Sequence, residues 1–85
     1  MSARRLIFTR HSEEMLVQRE IDREWVRAAV FNPDFVEPDP TRLGVLRAFR
    51  AVTERGGRFL RVVYLPEGDN FRVLTAFFDR ARPRR

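Results

Sequence analysis

Apolar positions recur every three to four residues in the first third of this chain and alternate with polar ones in the second half. That change of period reads as helices followed by strands. Before the helices, Leu6, Ile7 and Phe8 form a short apolar run, taken as a first strand over residues 5–9. From His11 to Glu20 the residues are mostly helix formers, and Glu13 and Glu14 suit the positive end of a helix. His11, Met15 and Arg19 are four apart and share one face of it. Asp22 then reads as the N-cap of a second helix, with Ile21 stapled onto Val26. Trp25, Val26, Ala29 and Val30 form its buried face, and Asn32-Pro33 ends it.

Phe35-Val36 gives a short strand, and three longer runs follow: Leu43 to Glu54, Arg58 to Leu65, and Phe71 to Arg80. Arg55-Gly56-Gly57 and the stretch from Pro66 to Asn70 are the turns between them. The expected fold is α+β: a short strand, two helices, then an antiparallel meander of three to four strands packed against the helices. The chain reads as a single domain over 1–85, with residues 1–4 and 81–85 as flexible basic ends. Helices on one side leave the other sheet face open. If Glu54 faces Arg58 and Leu65 faces Phe71, then Tyr64 lies opposite Arg72 and shares its face with Arg50 and Arg80. Arg61 falls on the other face, opposite Thr75. A slip of one residue would exchange the faces.

Charge sharpens this picture. All 17 basic residues are arginine, and the net charge is +5. Five of them (Arg47, Arg50, Arg61, Arg72 and Arg80) fall inside the apolar runs, where a fixed guanidinium is costly unless an anion or a carboxylate uses it. Nucleic acid or an acidic protein is the expected partner class. Codon usage accounts for arginine over lysine but not for arginines in mid-strand. There is no cysteine, so thiolate chemistry and cysteine-based metal sites are excluded. The run Leu6 to Thr9 is too short for a leader and nothing approaches a membrane span, so the expectation is a cytoplasmic protein.

With one histidine, four glycines and no cysteine, zinc clusters and glycine-rich phosphate loops are out of reach, and no cofactor is expected. Arginines, Tyr64 and His11 remain. That set can cleave RNA without metal, given a base for the 2′-hydroxyl, cations for the phosphorane and an acid for the leaving oxygen. A tyrosine flanked by arginines has its phenolate favoured. Each residue also has a structural reading: His11 as a helix-start hydrogen bonder, Tyr64 as a core aromatic, Arg19 as a partner of Glu20, Asp22 or Glu24. Arg61 fits bland surface least well, because its neighbours are bulky and apolar.

The segments Phe8-Thr-Arg-His11, Arg19-Glu-Ile21, Val26, Asn32-Pro33-Asp34, Arg61-Val-Val-Tyr64 and Val73-Leu-Thr75-Ala76 together resemble the RelE/ParE-like toxin superfamily, in particular its BrnT-like and related uncharacterised domains. The resemblance rests on the order and spacing of short motifs over nearly the whole chain. It implies a toxin-like component of a bacterial toxin–antitoxin system, a metal-independent endoribonuclease acting on RNA, with the ribosome as one place of action, and neutralised by a cognate antitoxin. It carries over Arg61, Tyr64 and His11 as catalytic positions, with Arg50, Arg72, Arg80 and Arg19 contacting nucleic acid. The chain departs from the pattern in having no lysine and a single histidine. The alternative is a non-catalytic protein-binding or homodimer-forming domain that uses its basic sheet face.

Overall fold

The computed structural model describes residues 4–81. The expected flexible ends therefore lie mostly outside the described residues. In chain order the elements are β1 (Arg5–Phe8), α1 (Arg10–Gln18), α2 (Arg23–Phe31), β2 (Phe35–Pro38), β3 (Leu46–Val52), a 3₁₀ turn (Thr53–Arg55), β4 (Arg58–Glu67) and β5 (Asn70–Phe78). The sheet order is β1-β5-β4-β3-β2. Strands β2 to β5 form the antiparallel meander, and β1 joins its far side parallel to β5. The fold is the α+β arrangement expected from the pattern; the parallel docking of β1 is new.

Local chemistry sets the helix ends. Thr9 caps α1: its hydroxyl accepts from the Ser12 N–H at 3.0 Å, while the Ser12 hydroxyl donates to the Thr9 carbonyl at 2.9 Å. Asp22 caps α2 by accepting from the Glu24 N–H at 2.8 Å. Between the helices the Ile21 N–H reaches the Leu16 carbonyl and the Glu20 N–H reaches Val17, which is a Schellman closure. Its left-handed residue, ordinarily glycine, is Glu20 at φ 53°. Ile21 and Leu16 bury their side chains together beneath it.

Both helices lie on one face of the sheet. Leu16, Ile21, Val26, Ala29 and Val30 meet Ala48, Val52, Leu60, Val62, Tyr64 and Val73 in one apolar cluster. Trp25 closes one end with its ring 6.1 Å from that of Phe78, edge on.

The strand register corrects the expected facing. In the first hairpin Val52, not Glu54, lies opposite Arg58, because Thr53–Arg55 wind into the turn. That offset is two residues, so side chains keep their faces. The second hairpin closes on Gly68-Asp69 alone, with β4 running to Glu67 and β5 starting at Asn70. Here Arg61 pairs with Phe77, and a bulge between Val63 and Tyr64 leaves Leu74 without an opposite residue. Beyond the bulge the offset is one residue. Tyr64 therefore lies opposite Val73 under the helices, and Arg72 lies opposite Leu65 on the open face. The expected Tyr64–Arg72 pair does not exist.

Candidate nucleic-acid interface

The open face carries one continuous cross-strand row, Phe35, Phe49, Arg61 and Phe77, contributed by β2, β3, β4 and β5 in turn. Phe35 and Phe49 stack with centroids 4.7 Å apart. The Arg61 guanidinium sits 5.3 Å from the Phe49 centroid and 5.0 Å from that of Phe77. Phe49 is fully buried although no helix among the described residues covers it. Arginine stems and neighbouring rings supply the cover that a second layer would otherwise give.

Three arginines of this face, Arg47, Arg61 and Arg72, are committed to carboxylates. Arg61 Nη2 donates to Asp79 at 2.6 Å, and Asp79 is only 5% exposed. The second Asp79 oxygen accepts from the Ala81 N–H at 2.9 Å, while Arg61 Nε is buried with no hydrogen-bond partner. Arg47 reaches Glu37 at 3.3 Å and Asp39 at 3.6 Å. Hydrogen bonds from the Thr41 N–H and hydroxyl and from Arg42 hold the Asp39 carboxyl well below the usual carboxylate range. Arg72 donates to Glu67 at 2.8 Å.

Arg19 has a different task. Pairing of β1 with β5 stops at Val73, so the outer edge of β5 is bare beyond it. Arg19 Nη1 donates to the Ala76 carbonyl at 2.8 Å and to the Thr75 hydroxyl at 3.3 Å, standing where a strand partner would be.

At the end of the sheet where β3 turns into β4, the pattern changes. The Arg55 guanidinium lies 5.3 Å from the Trp25 centroid and 5.2 Å from that of Phe78, and Arg58 lies 5.3 Å from Phe78. Arg80 follows the end of β5 at the same end of the sheet, and is exposed. Arg50 lines a cleft of about 190 Å³ with Trp25, Ala28, Thr53 and Glu54. Arg55 donates to the Glu20 carbonyl and Arg50 to the Asn32 carbonyl, each at 2.6 Å. Both bonds satisfy backbone at helix ends. Among the described residues, none of these four arginines has a carboxylate within ion-pair distance. They retain the charge and the donors that an external anion would use.

Residues 8–78 match a family described as a domain of unknown function, DUF4258. The chain belongs to the DUF4258 family. The match takes in every element except most of β1. Searches of curated proteins and of solved structures returned no match.

In this DUF4258 domain the residues singled out from sequence are dispersed. Arg50 and Arg80 fall at the aromatic end, where neither is in an ion pair among the described residues. Arg61 and Arg72 lie on the open face in ion pairs, and Arg19 caps the β5 edge. Tyr64 is 5% exposed in the helix-side core, its ring edge-on to Phe71 at 5.3 Å. Burial pushes its hydroxyl above the ordinary tyrosine range, opposite to the phenolate expected from flanking arginines. It also stands about 20 Å along β4 from Arg58, six residues at ~3.3 Å each. His11 is exposed in the first turn of α1, about 12 Å along the helix axis from Arg19. Among the described residues no group of His, Asp or Glu is arranged to hold a metal, and no helix is long and apolar enough to cross a membrane. Arg55, Arg58 and Trp25 were not among the expected site residues. The signal was there in the sequence: two arginines flank Gly56-Gly57 in the first hairpin turn, which places them together at one sheet end.

Proposed function

We propose that this domain is a toxin-like component of a bacterial toxin–antitoxin system that engages RNA through the arginines at its β3–β4 end. The observation that carries the reading is the separation of arginines into two sets. Arg47, Arg61 and Arg72 on the open face are neutralised by Glu37, Asp39, Glu67 and Asp79. Among the described residues Arg50, Arg55, Arg58 and Arg80 at the β3–β4 end are in no ion pair, and Arg55 and Arg58 lie over the Trp25–Phe78 aromatic pair. Guanidinium forks beside aromatic rings suit single-stranded RNA, whose phosphates take bidentate hydrogen bonds and whose bases stack.

In its stronger form the proposal adds metal-independent cleavage, with an arginine on the phosphate and His11 moving the proton. Tyr64 has no place in it as a base, since a buried hydroxyl with a raised pKa neither meets the substrate nor ionises near neutral pH.

The test is anisotropy of a labelled single-stranded RNA across a salt series. Replacing Arg50, Arg55 and Arg58 together by alanine should weaken binding at least ~10-fold and flatten the salt dependence, while Arg72→Ala leaves both close to wild type. Equal losses for the triple variant and Arg72→Ala would sink the assignment of the surface. Cleavage is read separately. RNA incubated with the protein and a chelator should acquire 2′,3′-cyclic phosphate ends, and intact RNA refutes the catalytic form alone.

A further inference from the structure

We infer that the open face of the sheet docks a second copy of this chain, sheet against sheet. Three observations meet there. The first is the charge balance. Arg5, Arg47, Arg61 and Arg72 belong to the face, against Glu37, Asp39, Glu67 and Asp79; among the described residues Arg47, Arg61 and Arg72 are ion-paired with these carboxylates and Arg5 is not. The protein as a whole carries +5, so its excess charge resides elsewhere. Nucleic acid approaching this face meets three guanidinium groups already occupied and four carboxylates that repel phosphate. A second copy meets a surface with no net field, which removes the main obstacle to self-association of a basic protein.

The second observation is what lies between the ion pairs. Phe35, Phe59 and Phe77 are only partly buried, and Ile7 is 37% exposed on the β1 edge of the same face. Apolar ground with internally paired charges, and no helix over it, is the composition of a surface that expects protein. A twofold contact laying the row of Phe35, Phe49, Arg61 and Phe77 across its own copy is self-complementary by symmetry.

The third is size. The five strands have four, four, seven, ten and nine residues; at ~3.3 Å per residue and ~4.8 Å between strands the face covers roughly 540 Å². Two such faces bury about 1,080 Å² in all, which clears the ~1,000 Å² expected of a specific interface. In an 85-residue chain, whose one-sided core buries a limited share of its surface, a second sheet supplies the missing layer.

Sedimentation equilibrium on the full chain tests this. A species of twice the 10.1 kDa chain mass should form at micromolar concentration and persist to about 0.5 M salt, since the interface is not held by net charge. Ile7→Asp, at an exposed position where folding is easily checked by circular dichroism, should weaken the dimer ~30-fold or more. Val17→Asp on α1, where the native residue is 79% exposed, should leave it unchanged. Because the chain has no cysteine, Thr75→Cys near the centre of the face offers a second readout: oxidation should link two copies, and Val17→Cys should not. Monomeric mass at all concentrations overturns the inference, as does a dimer indifferent to Ile7→Asp or lost with Val17→Asp. RNA binding that is abolished by Ile7→Asp assigns the face to nucleic acid and likewise overturns it. The RNA proposal concerns Arg50, Arg55 and Arg58, so either can fail while the other stands.

Discussion

Removing Asp79 should cost this protein much of its stability, while removing Asp79 and Arg61 together should cost little. Arg61 lies between two phenyl rings with its side chain 21% exposed, and its ion partner Asp79 is 5% exposed. Asp79→Ala leaves the guanidinium without its carboxylate in this apolar setting. Breaking a buried pair in this way typically costs ~3–5 kcal/mol. A domain of 85 residues has on the order of 4–13 kcal/mol in all, so the loss ranges from about a quarter of the stability to more than the whole. Arg61→Ala should cost a similar amount, because it removes the cation facing the buried Asp79 carboxylate and empties the space between Phe49 and Phe77. Arg61→Met with Asp79→Leu fills the space with apolar groups and should stay within ~1–2 kcal/mol of wild type. Urea unfolding followed by circular dichroism compares the four proteins. With a slope near ~1 kcal/mol per molar, the single variants should shift the midpoint by ~3–5 M, if they fold at all. The reasoning is refuted if either single variant costs under ~1 kcal/mol, or if the double variant costs the sum of the two. The result also decides how a functional assay is read. Loss of RNA binding in Arg61→Ala would report unfolding as readily as a lost phosphate contact, so the arginines at the β3–β4 end are the sounder probes.

Two further outcomes follow from particular residues. Glu20→Gly should stabilise the protein by about 0.5–1 kcal/mol, because a side chain at φ 53° carries a left-handed penalty of ~1–2 kcal/mol that glycine lacks, less glycine's added freedom when unfolded; no gain in thermal unfolding would mean that the Schellman turn is unstrained. Tyr64, the only tyrosine, should ionise above the ordinary ~10 in an ultraviolet titration. As an acid whose pKa is raised on folding, its contribution is complete below about pH 10 and declines as pH rises toward the folded value; a titration near pH 8 would restore it as a candidate base.

The sequence pattern disclosed the strand, two helices and meander because each depends on near neighbours. Asp22 as N-cap, the helix stop at Asn32-Pro33 and the glycine turn at 56–57 are local signals, and all hold. What escaped depends on pairing at a distance. No periodicity shows that β1 lies parallel to β5. A bulge at Val63/Tyr64 has no marker residue, yet it sends Tyr64 inward and Arg72 outward. For the same reason the arginines looked alike in sequence. Arg61 and Arg58 differ only in that one strand pairing brings Asp79 to the first, while the second finds Phe78. The site was legible as chemistry but not as geometry.

The position of β1 also bears on how the molecule assembles. Its partners come from the far end of the chain, whereas β2 to β5 each pair with a sequence neighbour across a short connection. Closing a long loop is entropically expensive before its contacts form, so the meander and the α2 face it covers should organise first and β1 should dock late. A strand that docks last and holds only one neighbour is also the one that opens most readily in the native state. Its opening would uncover Phe71 and Val73 along the β5 edge. Of all the strands, then, β1 would let the sheet accept a foreign strand without unfolding the rest.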